Sequence, residues 1–171
     1  YTLPVANIFA LLGSSEIFSG AAELEKVGRS LNTLYPEELQ QATNREAEVD
    51  ELTRLLSASD NRPVLLTGKR LVGKTAIIHE FVRRRMERRR SSESTLHVGP
   101  RGTIADLLGS VWLISPQRLI SGMSYIGQWE ARLLAILKEA QRRSHTLFFD
   151  DLVGLFSAGR SSSSSLSVAD V

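Results

Sequence analysis

A three-layer α/β fold with a largely parallel sheet is the fold class this sequence predicts, and three observations predict it. Short, β-compatible apolar runs recur at 64–67, Val111–Ile114 and Thr146–Phe149, the pattern of strands covered on both faces. Stretches with helical apolar spacing separate them. A loop bounded by two glycines joins the first run directly to a helix.

The bulk numbers agree with an ordinary globular domain. The 171 residues suffice for one domain with a hydrophobic core and a small appendage, and 42% apolar against 23% charged residues is the usual balance for such a domain. There are no cysteines, which excludes disulfides, thiolate zinc sites and cysteine nucleophiles, and fits a reducing compartment. No apolar stretch approaches the ~20 residues of a membrane helix. The best candidate, 3–12, is interrupted by Asn7 and lacks preceding positive charge. A soluble, cytoplasmic protein with no membrane partner is expected. The net charge of +2 is too small to imply a nucleic-acid partner. Residues 83–90, RRRMERRR, carry six arginines. The sequence reads that run as a solvated helix end, with a phosphate-binding or partner surface as the other reading.

In chain order, residues 1–42 form a mainly helical lead-in, where Gly13, Gly20 and Gly28 interrupt any long helix. Thr43-x-x-Glu46 is a capping box before Val49, Leu52, Leu55 and Leu56, so a helix is expected up to the polar break Ser59-Asp60-Asn61. The apolar run 64–67 is the first expected strand. A helix from Lys74 to about Arg90 follows, with Ile77, Ile78, Phe81 and Val82 inward. Residues 89–102 read as an exposed connection, within which 95–98 could pair as a strand. Val111–Ile114 is the second expected strand, ended by Ser115-Pro116. Residues 122–127 form a loop. Trp129, Leu133, Ile136, Leu137 and Ala140 then make the clearest helical stripe, with Arg132, Lys138, Glu139, Arg142 and Arg143 on its other side. Thr146–Phe149 is the third expected strand, and the serine run 161–165 is a loop.

Two features carry chemistry. Gly68-Lys69-Arg70-Leu71-Val72-Gly73-Lys74-Thr75 matches G-x-x-x-x-G-K-[ST] in full, between an apolar run and a helix. Gly68 and Gly73 permit the tight turn that wraps backbone N–H groups around a phosphate, and the following helix points its positive end at the same place. Lys74 can reach β- and γ-phosphates as a point charge, and the Thr75 hydroxyl can ligate magnesium; Ala76 begins the helix beneath them. The implied cofactors are ATP and Mg2+. The second feature is Asp150-Asp151 at the end of the 146–149 run. Asp150 is placed to hold the metal through water, and Asp151 to orient or deprotonate the attacking water. His79, His97 and His145 show no metal-ligand spacing.

With these pieces in hand, residues 43–171 resemble the first half of a Clp-type AAA+ module, the motor of protein unfoldases and disaggregases. Asn44-Arg45-Glu46-Ala47-Glu48-Val49 is similar to the family's G-R-D-x-E-I helix entry. Pro63-Val64-Leu65-Leu66, the glycine loop and Thr75-Ala76-Ile77-Ile78 resemble its strand, Walker A loop and helix. Leu119-Ile120-Ser121-Gly122 leading into Tyr125-Ile126-Gly127-Gln128-Trp129-Glu130-Ala131-Arg132-Leu133 resembles its aromatic pore loop and next helix. Residues 147–159 resemble its Walker B strand and following loop. The resemblance implies the P-loop NTPase fold of AAA+ proteins, truncated before the C-terminal lid. It also implies ATPase activity coupled to translocation of a polypeptide client, and a homo-oligomeric, hexameric ring. Tyr125 corresponds to the residue that grips the client, and Ala42 and Thr43 would lie near the adenine.

The sequence departs from that pattern in three ways. Arg70 and Leu71 stand where the family has Pro and Gly, and a leucine takes positive φ only at a cost. Asp151 replaces a catalytic glutamate and is one methylene shorter. No later strands, polar sensor, arginine finger or lid follow. The changed P-loop and Asp151 support the alternative reading, a nucleotide-binding scaffold or regulatory component with weak or no hydrolysis. A nucleic-acid ATPase using the arginine run ranks last.

Overall fold

The computed structural model describes residues 19–58, 62–95, 109–122 and 128–157. The chain enters through α1 (Gly20–Val27), turns into β1 (Gly28–Ser30) and makes a 3-10 turn at Leu31–Leu34. There follow α2 (Glu46–Leu56), α3 (Lys74–Thr95), β2 (Val111–Ile114), α4 (Pro116–Ile120), α5 (Gln128–Arg142), β3 (Thr146–Phe149) and α6 (Leu152–Ser157).

The described sheet is small and mixed, in the order β1-β2-β3. β2 and β3 run parallel, with Val111 opposite Thr146 and Ile114 opposite Phe149, as strands joined by a helical crossover can. β1 lies antiparallel on the other edge of β2, with Gly28 opposite Ile114. The alternation of the pleat sorts the side chains. Val111, Leu113 and Phe148 join a cluster with Val49, Leu52, Ile77, Phe81 and Val82 of α2 and α3. Trp112, Ile114, Leu147 and Phe149 join the other, with Leu24, Val27, Trp129, Leu133 and Ile136 of α1 and α5. The sheet thus buries apolar side chains on both faces, and the inner faces expected for α3 and α5 are buried, except that Leu137 of the expected α5 stripe is 39% exposed.

Several expectations are corrected. The run 64–67 is extended but joins no strand ladder among the described residues. Val64 and Leu66 turn inward onto the α2–α3 cluster while Leu65 is 65% exposed, so the alternation of a strand is present without a partner to take its backbone bonds. The sheet is consequently not largely parallel over the described residues. β1 was read as helical lead-in. Gly-Arg-Ser has no strand propensity, and pairing with the edge of β2 forms it. The capping box does not form: Asn44 has φ 56°, Arg45 is the N-cap of α2, and its side chain makes no cap bond. A left-handed residue at 44 stops Thr43 from reaching the first turn of the helix. Leu55, expected inside, is 36% exposed. α3 runs to Thr95, beyond the expected Arg90, and Ser115-Pro116 not only ends β2 but starts α4, with the Ser115 hydroxyl accepting from the Arg118 N–H. The possible strand at 95–98 begins on the last residue of α3 and otherwise falls outside the described residues, as do the serine run and His97.

The arginine run is not a solvated helix end. Arg83 donates to the Leu39 carbonyl (2.7 Å), Arg84 to Asp50 (2.7 Å), Arg85 to the Thr146 hydroxyl (3.4 Å) and Arg89 to the Gly109 carbonyl (3.0 Å). Arg90 stacks 5.1 Å over the Tyr35 ring. Long side chains with several donors bind α3 to four other parts of the chain. Arg132, expected on the solvated side of α5, is also turned inward. Its Nε lies 2.8 Å from the buried Glu23, an ion pair at an angle poor for hydrogen bonding. Its Nη1 donates to the carbonyls of Arg118, Leu119 and Ser121 at the end of α4. α1 sits close enough to α5 that a Cβ at Gly20 would collide with the Ala135 carbonyl oxygen, which explains that glycine.

Candidate functional site

The loop 68–73 is shaped by three residues in the left-handed half of backbone space: Gly68 (φ 155°), Leu71 (φ 66°) and Gly73 (φ 89°). The two glycines take this without cost. Leu71, which the sequence expects to resist it, adopts it with its side chain 93% exposed, at a cost of about 1–2 kcal/mol. α3 begins at Lys74 with the Ile77 N–H bonded to the Gly73 carbonyl at 3.0 Å, so its positive end opens onto the loop. The Lys74 ammonium folds back into the loop and donates to the carbonyls of Gly68 (2.9 Å) and Lys69 (2.8 Å). An open cleft of about 280 Å³ lies here, lined by Gln40, Leu71, Gly73, Lys74, Thr75 and Ala76. Beyond Gly73 a Cβ would meet nothing within 4 Å, so the backbone is open to the cleft.

Of the residues expected to bind a nucleotide, Leu71 and Gly73 to Ala76 line this cleft. Gly68 and Lys69 hold Lys74, and Arg70 and Val72 are exposed beside them. Thr43 is exposed and is not part of the lining; nor is Ala42. Gln40, which no sequence signal marks, is. Its N–H donates to His79 Nδ1 at 3.0 Å, so that ring is a neutral acceptor, held below its ordinary pKa by burial and then by Arg29 and Arg83. His145 accepts from the Ser110 N–H in the same way, its pKa lowered chiefly by burial.

At the end of β3, Asp150 is exposed. Asp151 caps α6: its Oδ1 accepts from the Gly154 N–H (2.7 Å) and its Oδ2 from the Gln117 side-chain amide (2.8 Å). Those bonds, Gly154 first, hold the carboxyl below its usual range. A Cβ at Gly154 would fall on the Asp151 carboxylate and within 2.6 Å of Gln117 Nε2. Each carboxylate oxygen retains a second lone pair. Among the described residues, neither acid bonds to Lys74 or Thr75, and no three His, Cys, Asp or Glu side chains gather as an all-protein metal cage.

No known protein-family profile matches the chain. It is 32% identical over 145 residues to the chaperone protein ClpB of Mycoplasma genitalium, covering 82% of this chain and 18% of that protein. It is 29% identical over 153 residues to ClpB of Tropheryma whipplei, covering 87% and 20%. The chain is a Clp-type AAA+ sequence, homologous to the ClpB chaperones. It spans about a fifth of the length of these Clp relatives. Its fold is similar to part of the S. cerevisiae Hsp104–ADP complex, with a TM-score of 0.58, 24% identity, and coverage of 80% of this chain and 18% of that one.

Against the Clp-type reading, the residues that sequence reasoning missed are Gln40, in the lining of the cleft, and Gln117, on Asp151. Both are brought to their places across the fold, and nothing local marks them. Tyr125 and its loop neighbours 123–127 lie outside the described residues, between Gly122 and the start of α5. No described helix is long and apolar enough to cross a membrane.

Proposed function

We propose that this chain binds ATP with Mg2+ in the cleft at the head of α3, as the nucleotide-binding part of a cytoplasmic Clp-type protein-remodelling motor. The observation that carries the reading is the loop 68–73 with the Lys74 ammonium inside it, facing the open N-terminus of α3. Taken this way, the three-layer P-loop fold is the frame, with 64–67 as its phosphate-side extended segment. The backbone around Gly73 and the α3 N-terminus bind the phosphates, and Lys74 exchanges its carbonyl acceptors for phosphate oxygens. Thr75 and, through water, Asp150 would hold the magnesium. Held there, the ion would supply positive charge that offsets that of the phosphates. Asp151, kept ionised by Gly154 and Gln117, has a free lone pair on each oxygen with which to orient the attacking water.

The partners follow from the same reading: a polypeptide client gripped by Tyr125, and copies of the parent protein assembled in a ring. Titration calorimetry with Mg-ATP tests the site. Lys74→Ala should weaken binding about a hundredfold while leaving the melting curve in place, and equal affinity in the variant would end the assignment. Tyr125→Ala in the assembled protein should keep ATP affinity but uncouple hydrolysis from client unfolding.

One observation favours a second reading, a nucleotide-binding scaffold that turns over slowly or not at all. Both oxygens of Asp151 already serve α6 and Gln117, on a side chain one methylene shorter than glutamate. Steady-state ATPase with and without unfolded protein separates the two.

A further inference from the structure

Among the described residues that line the cleft, Gln40 alone comes from outside the loop and the head of α3, and its backbone is held by side chains of α3. The peptide unit between Leu39 and Gln40 is bonded at both of its polar ends to α3. Its N–H donates to His79 Nδ1 at 3.0 Å, and its carbonyl accepts from Arg83 Nη2 at 2.7 Å. Positions 79 and 83 are four apart, so both side chains rise from one face of the helix. The same helix begins at Lys74, about 7.5 Å along the axis from His79. Leu39 itself is buried in the α2–α3 cluster, so the segment has one apolar anchor and two polar ones.

We infer that His79 and Arg83 are positioning residues which fix the Leu39–Gln40 peptide, and with it the wall that meets the nucleoside end of the ligand, at a set distance from Lys74. The inference rests on the nucleotide reading above and deepens it. Phosphates belong at the loop and the helix terminus, so whatever extends from them along the cleft meets Gln40. Because Lys74 and the clasp belong to one helix, with the loop leading directly into it, the spacing between phosphate and nucleoside subsites is set by helix geometry rather than by a mobile hinge. His79 fills this role as an acceptor, which is the neutral ring that its burial favours. Among the described residues, neither His79 nor Arg83 bonds to Lys74 or Thr75.

The test compares Mg-ATP with magnesium tripolyphosphate, which shares the charge but has no nucleoside, by calorimetry on the purified protein. His79→Phe keeps a ring and removes the acceptor. It should weaken ATP binding about fivefold, one backbone hydrogen bond's worth, and leave tripolyphosphate within about twofold. His79→Asn restores an acceptor near the Nδ1 position and should recover most of the ATP affinity. If His79→Phe proves unstable, Arg83→Met removes the other bond while keeping the apolar stem, and the same selective loss is expected. Unchanged ATP affinity in these variants, or equal loss for both ligands as from general loosening, would overturn the inference. Wild-type protein that binds neither ligand would overturn the nucleotide reading itself, and this inference with it.

Discussion

The glycine loop 68–73 and the acidic end of β3 are both places where an apolar segment stops and polar groups begin, but they are assembled over different distances. In the loop, everything needed lies within seven consecutive positions. Gly68, Leu71 and Gly73 bend the backbone, and Lys74 bonds to the carbonyls of Gly68 and Lys69. At the end of β3, Asp151 is tied to Gly154 three residues on and to Gln117 thirty-four residues back. A loop shaped by its own backbone carries its design in local sequence. A carboxylate whose role depends on what surrounds it does not.

The sharpest way to break the comparison is at Asp151. Asparagine caps a helix as well as aspartate does, so Asp151→Asn should leave stability nearly unchanged while turnover falls about a hundredfold. Asp151→Glu should raise turnover by carrying the carboxylate closer to its water. If neither variant moves the rate in a steady-state assay, the acidic end is a helix cap only, and the chemistry belongs to the loop side. The next effect is structural. Gly154→Ala forces a methyl onto the carboxylate and Gln117, and should lower stability by about 2 kcal/mol in a denaturant melt.

The loop should respond in the opposite direction. Leu71→Gly relieves the left-handed strain of an exposed side chain that packs on nothing, a gain of about 1–2 kcal/mol partly offset by glycine's entropy in the unfolded chain. A net rise of roughly 0.5–1 kcal/mol is expected, and a loss would mean that Leu71 makes a contact of its own. The smallest effect is the pH dependence at Asp151. Its folded pKa is depressed, so its contribution to stability is present above the unfolded value of about 3.9 and is lost as pH falls through the lower folded value. The gap in melting temperature between wild type and Asp151→Ala should therefore be constant near neutrality and shrink below about pH 4. A gap that persists unchanged into acid would show that the cap works without its charge.

The same division runs through the fold. The motif 68–75, the inward faces of α3 and α5, and the strands Val111–Ile114 and Thr146–Phe149 were legible because periodicity and turn chemistry act among near neighbours. Ile77, Phe81, Trp129 and Ile136 are buried where the spacing of apolar residues says they must be. The capping box at Thr43 was a correct local signal overridden by one left-handed residue at Asn44. The arginines of 83–90 looked solvated because charge alone says nothing of the carbonyls and carboxylates within reach of a long side chain.

By itself, then, the sequence determined the glycine loop, most of the helices' apolar faces and two of the three described strands, since each follows from interactions among residues a turn or a pleat apart. Only the tertiary structure decided that Gly28–Ser30 is a strand, that 64–67 has no ladder partner among the described residues, and that Gln40 and Gln117 stand beside the functional groups. The physical reason is reach. β1 forms because an edge of β2 some eighty residues away needs hydrogen-bond partners, and Gln40 faces the cleft because His79 and Arg83 hold its peptide there.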